Sequence, residues 1–318
     1  QRITKEETKM IYSLTIAPSI DYTLDLNGKE LRVDGINRPL AKGFSIGGKG
    51  ITVSRMLKNL RIDSIPLVAA GGDNGETIKH MVSKEFDKII YLPTESNSRI
   101  DVLITGPDTD LRFDPAAPKI RESGLKKLFE YFKKHLKADD IVIMAGSLGQ
   151  EDKHLYQKIM DECINPSGAR TILDTVDDAL INALPSKPFM IKPNDEELGD
   201  LIGKKMESDE DILKGGEELK KKGPKTVMVT LGRRGAYYFA EDGSIYHCSN
   251  AVGKQISAVG AGDSSIAGFI KGLSENKSIE ETLKYSMAAG GATAFSEHLG
   301  SYKLWKSLIP QIKVTKIK

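Results

Sequence analysis

The chain of 318 residues reads as an α/β fold: a doubly wound, mostly parallel sheet flanked by helices, with a small β-sheet lid. Three observations predict it. Short apolar runs that end in small or polar residues alternate with helical stretches along most of the length. Several of these runs are apolar throughout, as strands covered on both faces are. Two regions, 18–46 and 88–113, break the rhythm with strand-like pieces that have no helix between them, and these form the expected lid.

The first run, IYSLTIA (11–17), reads as a buried strand. YTLDL, within 18–46, supplies a lid strand. Residues 48–60 form a helix with Val53, Met56, Leu57 and Leu60 on one face. SIPLVAA (64–70) returns to the sheet, and RIDVLITG, within 88–113, returns to the lid. Further strands are expected at DIVIMAG (140–146), RTILDT (170–175), FMIKPN (189–194) and TVMVTLG (226–232), separated by helices near 121–135, 152–163, 194–202 and 209–221. A further helix begins near Asp263, where Ile266, Phe269, Ile270 and Leu273 recur at i, i+3, i+4 and i+7. No repeat, low-complexity tract or flexible linker interrupts the order, so residues 10–318 are expected to form one domain. The polar start QRITKEETK lacks the apolar core of a signal peptide; residues 1–9 are expected to be a leader or an added remnant.

Composition narrows the function. Hydrophobic residues make up 39% of the chain, enough for a packed core. Forty-six basic residues against 44 acidic ones leave a net charge of +2, which argues against a nucleic-acid partner. Lys220–Lys222 is a run at a helix end, where cations complement the dipole. No apolar run is long enough for a bilayer, so no membrane partner is expected. Two cysteines, Cys163 and Cys248, form neither a CxxC pair nor a disulfide framework, which suits a reducing cytoplasm.

In open parallel sheets ligands sit at the carboxyl ends of the strands, so the polar residues there carry the chemistry. GFSIGGKG (43–50) approaches a nucleotide P-loop, but Gly50 stands where a serine or threonine should hold magnesium. What remains is a glycine-rich helix entry with one lysine, which either cradles an anion or lets helices pack closely. In KPNDEEL (192–198), Asn194 and Glu197 lie three apart at a helix start. They can organise hydrated magnesium, or form a capping box. TLGRRGA (230–236) is a tight turn between strands or a nucleotide contact. In SAVGAGDSSIAGFI (257–270) the Gly-Ala-Gly turn exposes helix N–H groups to a phosphoryl group. Asp263 is placed to take a proton from an attacking hydroxyl, and it also suits a simple first-turn cap. The histidines show no metal-ligand spacing and no G-x-S-x-G elbow is present.

Taken together, GGKGITVSRML, KPNDEEL, TLGRRGA and AVGAGDSSIAGF resemble the ribokinase/PfkB carbohydrate kinase family, in this order and over almost the whole chain from Met10. MIYSLTIAPSIDYTLDL, SRIDV and AAGGATAFSEHLG look like its phosphosugar branch, the 1-phosphofructokinases and tagatose-6-phosphate kinases. The resemblance implies a ribokinase-like fold whose lid often joins two subunits, so a homodimer is expected. It also implies transfer of the γ-phosphoryl group of ATP, with Mg2+, to fructose 1-phosphate or tagatose 6-phosphate.

Residue by residue, the resemblance makes Asp263 the base and Gly260, Ala261 and Gly262 the anion hole. It makes Asn194 and Glu197 the pair that organises magnesium and phosphates, Glu197 acting through water. Thr230, Gly232 and Gly235 fall on the nucleotide-side turn, and Ala289, Gly290 and Ser296 in the helix beside the adenine. Asp21, Gly47, Gly48, Lys49 and Thr52 fall at sugar-binding positions, and Arg99 grips the substrate's phosphate, as a guanidinium fork suits. The branch usually has amides where Ala17, Thr52 and Asp101 stand, and FDPAAP (113–118) replaces an Asn-x-Pro-Gly-Pro-like segment. These departures shift the sugar preference, and they keep two alternatives open: a kinase of an unphosphorylated sugar or nucleoside, and a sugar-phosphate sensor.

Overall fold

The computed structural model describes residues 9–318, so the expected leader lies, but for Lys9, outside the described residues. The strands are β1 (Ile11–Thr15), β2 (Ser19–Asp25), β3 (Leu40–Gly47), β4 (Ile65–Ala70), β5 (Ile90–Pro93), β6 (Arg99–Gly106) and β7 (Thr109–Phe113). They continue with β8 (Ile141–Ala145), β9 (Arg170–Asp174), β10 (Met190–Ile191), β11 (Thr226–Thr230), β12 (Ala236–Phe239), β13 (Ile245–Cys248) and β14 (Val314–Lys316).

Ten strands form the main sheet in the order β14-β13-β12-β11-β10-β9-β8-β1-β4-β5. Pairing is parallel from β5 through to β11 and antiparallel from β11 to β14. Alternate residues of each buried strand enter opposite layers, as the period of two requires. Thus Val142 and Met144 join a layer with Tyr12, Leu14 and Phe132, whereas Ile141, Ile143 and Ala145 join one with Val53, Phe269 and Leu283. Helices Glu122–His135, Asp195–Ile202 and Asp209–Lys221 cover the first face; Lys49–Asn59, Ala261–Ser274 and Ile279–Ala294 cover the second. This is the predicted doubly wound fold.

The lid is a four-stranded sheet, β3-β2-β6-β7. The expected lid segment 88–113 divides between the two sheets. Ile90–Pro93 pairs in parallel with β4 at the edge of the main sheet, and the lid begins at Arg99. The crossover helix Gly72–Val82, which the sequence reading did not include, makes that parallel return. Register places Ser19, Asp21, Ser45, Gly47, Arg99 and Asp101 on one face of the lid. On the other face Ile20 and Ile46 pack on Ile51, Val68, Ile78 and Val82 of the body. Farther out on that apolar face, Phe44, Ile100, Leu111 and Phe113 are exposed.

The predicted strand 189–194 is shorter than expected, because Pro193 and the turn into the next helix leave only Met190–Ile191 in the ladder. An isolated bridge from Asn194 to Thr230 keeps the two strand ends side by side.

Candidate active site

The carboxyl ends of β8 to β11 converge on the start of helix Ala261–Ser274. That helix enters from Gly260, which has φ +77 and so favours glycine; a Cβ there would also lie 3.2 Å from Leu299 and 3.3 Å from Thr52. No side chain caps this helix end, and Asp263 lies in its first turn. Ser264 Oγ, 2.7 Å from Thr293 Oγ1, ties the helix to Ile279–Ala294, and Ser265 Oγ donates to Gly262 O at 2.7 Å.

Asp174, the last residue of β9, is the centre of charge. Lys49 Nζ lies 3.2 Å from one of its oxygens and Lys192 Nζ 3.3 Å from the other. Asp174 is 4% exposed and Lys192 7%. Burial would push the Asp174 carboxyl up, but the two ammonium groups outweigh it and hold it below the usual carboxylate range. Asp263 goes the other way. Burial, reinforced by the charge of Asp174, pushes it up to about 7, against the pull of Lys49 and Lys192. Lys49 is held above its ordinary value by Asp174 and Asp263, although burial alone would lower it. One carboxyl is thus kept ionised between two cations while its neighbour titrates near neutral pH, the condition a general base needs.

A cavity of about 770 Å3 opens beside this cluster. Of the residues assigned to the nucleotide, Asn194, Thr230, Gly232, Gly235 and Gly290 line it, together with Ala261 and Gly262 of the anion hole. Ala289 and Ser296 do not. Ala289 is fully buried where Gly268 lets the helices Ala261–Ser274 and Ile279–Ala294 approach, and Ser296 Oγ donates to Ala292 O at 2.8 Å. Helical phase turns Ala289 from the cavity, and Ser296 lies beyond the end of the helix Ile279–Ala294 that was expected to hold it. In their place the structure supplies Asn250, Lys254 and Phe295.

Of the two readings of Asn194 and Glu197, the structure shows the capping box. Asn194 Oδ1 accepts from the Glu197 amide at 2.8 Å, and Glu197 Oε2 accepts from the Asn194 amide at 2.8 Å, a capping box at the cavity wall. The Glu197 charge also reaches Lys49. Among the described residues no group of three His, Cys, Asp or Glu side chains is placed to hold a metal.

The residues assigned to the sugar lie on one face of the lid and at the start of the helix Lys49–Asn59. Asp21 accepts from Ser19 Oγ at 2.5 Å beside Gly47, and burial pushes its carboxyl up. Gly48, at φ 125, precedes the helix that presents Lys49, and Thr52 Oγ1 donates to Gly48 O at 3.2 Å. The methyl of Thr52 faces Gly260, which brings a residue assigned to the sugar beside one assigned to the anion hole. Arg99 is heavily engaged. Its guanidinium donates to Ala17 O and Pro115 O, both at 3.1 Å, lies 3.4 Å from Asp101 and pairs with Asp114. Arg112 reaches Asp101 from β7 at 3.0 Å.

The sequence reading missed Asp174 and Lys192, although it quoted both stretches. Each is a charged residue at the carboxyl end of an apolar strand, the signal that could have singled it out.

Residues 15–305 match the model of the pfkB family of carbohydrate kinases. The chain belongs to the PfkB family. It is 36% identical over 310 residues to the 1-phosphofructokinase of Bacillus subtilis (strain 168), covering 97% of this chain and all of that protein. It is 29% identical over 310 residues to the D-tagatose-1-phosphate kinase of Bacillus licheniformis, covering 96% of this chain and 99% of that protein. A crystal structure described as a putative phosphofructokinase from Staphylococcus aureus superposes with a TM-score of 0.82 at 32% identity, covering 97% of this chain and 99% of that one. This PfkB protein is a phosphosugar kinase, a phosphotransferase with an alcohol acceptor, and the phosphosugar branch read from its motifs is the right one.

Proposed function

We propose that this PfkB kinase transfers the γ-phosphoryl group of ATP, with Mg2+, to the free hydroxyl of fructose 1-phosphate, yielding the bisphosphate and ADP. The observation that carries the reading is Asp263, a carboxyl raised to about 7 in the first turn of an uncapped helix whose start lines the cavity. It takes the proton of the acceptor hydroxyl as that oxygen attacks. The Gly260–Gly262 turn aims helix N–H groups at the charge developing on the phosphoryl oxygens. Lys49 and Asp174 keep the approach electrostatically balanced, and the lid shelters it from water.

The chemistry of the donor set suits a hydrated cation. One carboxylate, Glu197, with the Asn194 amide at a helix end is what Mg2+ needs when it keeps most of its waters. When bound, Mg2+ neutralises phosphate charge. Arg99 supports a phosphorylated acceptor over a free sugar or nucleoside, as do the names of the two bacterial relatives. A retained base disfavours a sensor. The exposed apolar face of the lid supports a homodimer through that sheet, and sedimentation of Phe44→Glu against the parent chain tests it. No helix among the described residues is long and apolar enough to cross a membrane, and the two buried free thiols, Cys163 and Cys248, support a cytoplasmic enzyme.

ADP release across fructose 1-phosphate, fructose 6-phosphate, tagatose 1-phosphate, tagatose 6-phosphate and the unphosphorylated sugars tests the proposal. Fructose 1-phosphate should give the highest kcat/KM. Higher values for tagatose 6-phosphate move the acceptor assignment, and turnover of free sugars alone removes Arg99 from it.

A further inference from the structure

Arg55 lies in the stretch GGKGITVSRML, yet the chemistry described so far does not use it. It projects from the helix Lys49–Asn59, its side chain is 22% exposed, and its guanidinium makes bonds in two directions. Nε donates to Glu85 Oε2 at 2.6 Å and Nη2 to Glu85 Oε1 at 2.7 Å, the paired fork of a guanidinium on a carboxylate. Nη1 donates to Ile46 O, on the lid strand β3, at 2.5 Å. Glu85 stands in the turn beyond the helix Gly72–Val82, where its amide donates to Val82 O at 3.0 Å. Lys58, from the same helix as Arg55, donates to the Glu85 carbonyl and fixes that turn a second time. One side chain thus joins a body helix, a body turn and the lid.

The joint falls where the lid meets the sugar-side residues. β3 is the edge strand of the lid, and an edge strand offers carbonyls that no neighbouring strand takes up. From Leu40 to Ser45 it is exposed, and Ile46 is the first of its residues to be buried, against Ile51, Val68, Ile78 and Val82. Gly47, Gly48 and Lys49 follow at once. They have no slack. A Cβ on Gly47 would lie 2.3 Å from Asp21 Oδ2, one on Gly48 2.6 Å from the Thr15 methyl, and one on Gly50 2.4 Å from Thr15 Oγ1. Backbone fitted so closely passes a shift of β3 directly to the Gly47–Asp21 contact and to Lys49. A misplacement of about 1 Å, even from a change far from the chemistry, can cost about 10²-fold in rate. Any donor would satisfy the Ile46 carbonyl; a guanidinium fixed by two bonds to a carboxylate also decides where that carbonyl lies.

We propose that Arg55 is a positioning residue for phosphoryl transfer: braced by Glu85, it holds the end of β3 so that Gly47, Gly48 and Lys49 stand in register with the acceptor. It acts through the Ile46 carbonyl and does not line the donor cavity. The inference rests on the reading of the lid face as the acceptor side.

The test compares Arg55→Met, Arg55→Lys and Glu85→Gln with the parent chain. It is read by KM and kcat for the phosphosugar that the parent turns over best, by calorimetric binding of ADP without sugar, and by urea unfolding. Arg55→Met should raise the acceptor KM at least about tenfold, the range of lost charge-assisted hydrogen bonds, and change ADP affinity by less than about twofold. Arg55→Lys keeps the charge but cannot make the fork and the third bond together, so it should recover the unfolding midpoint more fully than KM. Glu85→Gln leaves the guanidinium without its brace and should raise KM about three- to tenfold, but by less than about twofold when added to Arg55→Met. An unchanged acceptor KM in Arg55→Met overturns the proposal. So does an equal loss for acceptor and ADP, which makes Arg55 a support of the whole fold, and so does full additivity with Glu85→Gln. If Arg55→Met does not fold, Glu85→Gln and Arg55→Lys decide by the same split between acceptor KM and ADP affinity. Asp21→Asn reports on the lid reading itself. A raised KM there with none in Arg55→Met refutes this inference alone, and no change in either refutes the acceptor side as well. A raised KM in Arg55→Met for a sugar other than fructose 1-phosphate upholds this inference while refuting the proposed acceptor.

Discussion

Replacing Asp263 by asparagine should make the protein a poorer enzyme and a more stable fold, and the second effect has a pH signature. The unfolded carboxyl ionises near its ordinary 3.8, the folded one near 7. Between those values the folded chain holds a proton that the unfolded chain has released, so stability falls as pH rises from about 4 to about 7 and is level above that. The full displacement corresponds to about 4 kcal/mol at about 1.4 kcal/mol per unit. The carboxyl keeps some contact with solvent, which screens the penalty, so the recoverable part is about 1–3 kcal/mol. Asparagine keeps the shape and never ionises. Urea unfolding at a series of pH values should therefore show Asp263→Asn more stable than the parent by about 1–3 kcal/mol at pH 8, the gap closing toward pH 4. Over the same series kcat should fall by about 10²–10⁴-fold with little change in ATP affinity. A stability gap independent of pH, or a loss of stability at pH 8, refutes the electrostatic account. Unchanged turnover removes Asp263 as the base.

The remaining predictions follow from the same cluster and from the lid. In the parent enzyme log kcat/KM should drop about one unit per pH unit below pH 7, the free Asp263 being the group that must ionise; a profile level down to pH 5.5 contradicts it. Arg99→Ala should raise KM for phosphorylated sugars at least about tenfold, as expected for a lost charged hydrogen bond, and much less for free sugars. Equal effects on both would show that Arg99 does not hold the phosphate. Asp114 competes with that phosphate for the Arg99 guanidinium from an exposed position. Asp114→Asn should lower KM about two- to fivefold at unchanged kcat, the worth of a solvent-exposed pair, and a raised KM would make Asp114 part of the binding wall instead.

Much of the architecture was legible in local pattern. The strands IYSLT, IVIMA and TVMVT are mostly apolar on both faces because both faces are covered, and their helices carry the 3.6-residue period, so type and order follow from the chain alone. Ile90–Pro93 was harder. As a short apolar run it fits either sheet, and its place is decided by the crossover helix Gly72–Val82, whose glycines and charges obscure the periodicity. Ala289 and Gly290 are adjacent in sequence, but one helical step of about 100° turns the first into the core and the second to the cavity.

The sequence by itself determined the reaction class. Gly260-Ala261-Gly262-Asp263, the Asn194 and Glu197 pair and the Gly48-Lys49 entry are local patterns whose chemistry depends on backbone geometry at a helix start, and a helix start is written in neighbouring residues. Only the tertiary structure decided which charges surround the base. Asp174, Lys192, Lys49 and Asp263 come from four separate segments, brought into one group of interacting charges by the parallel order of β8 to β11 and the helix Ala261–Ser274. Charge interactions depend on distance and burial, and neither is a property of sequence spacing. For that reason the motif could name Asp263, and only the fold could show a carboxyl poised near neutral pH beside a carboxylate held by two lysines.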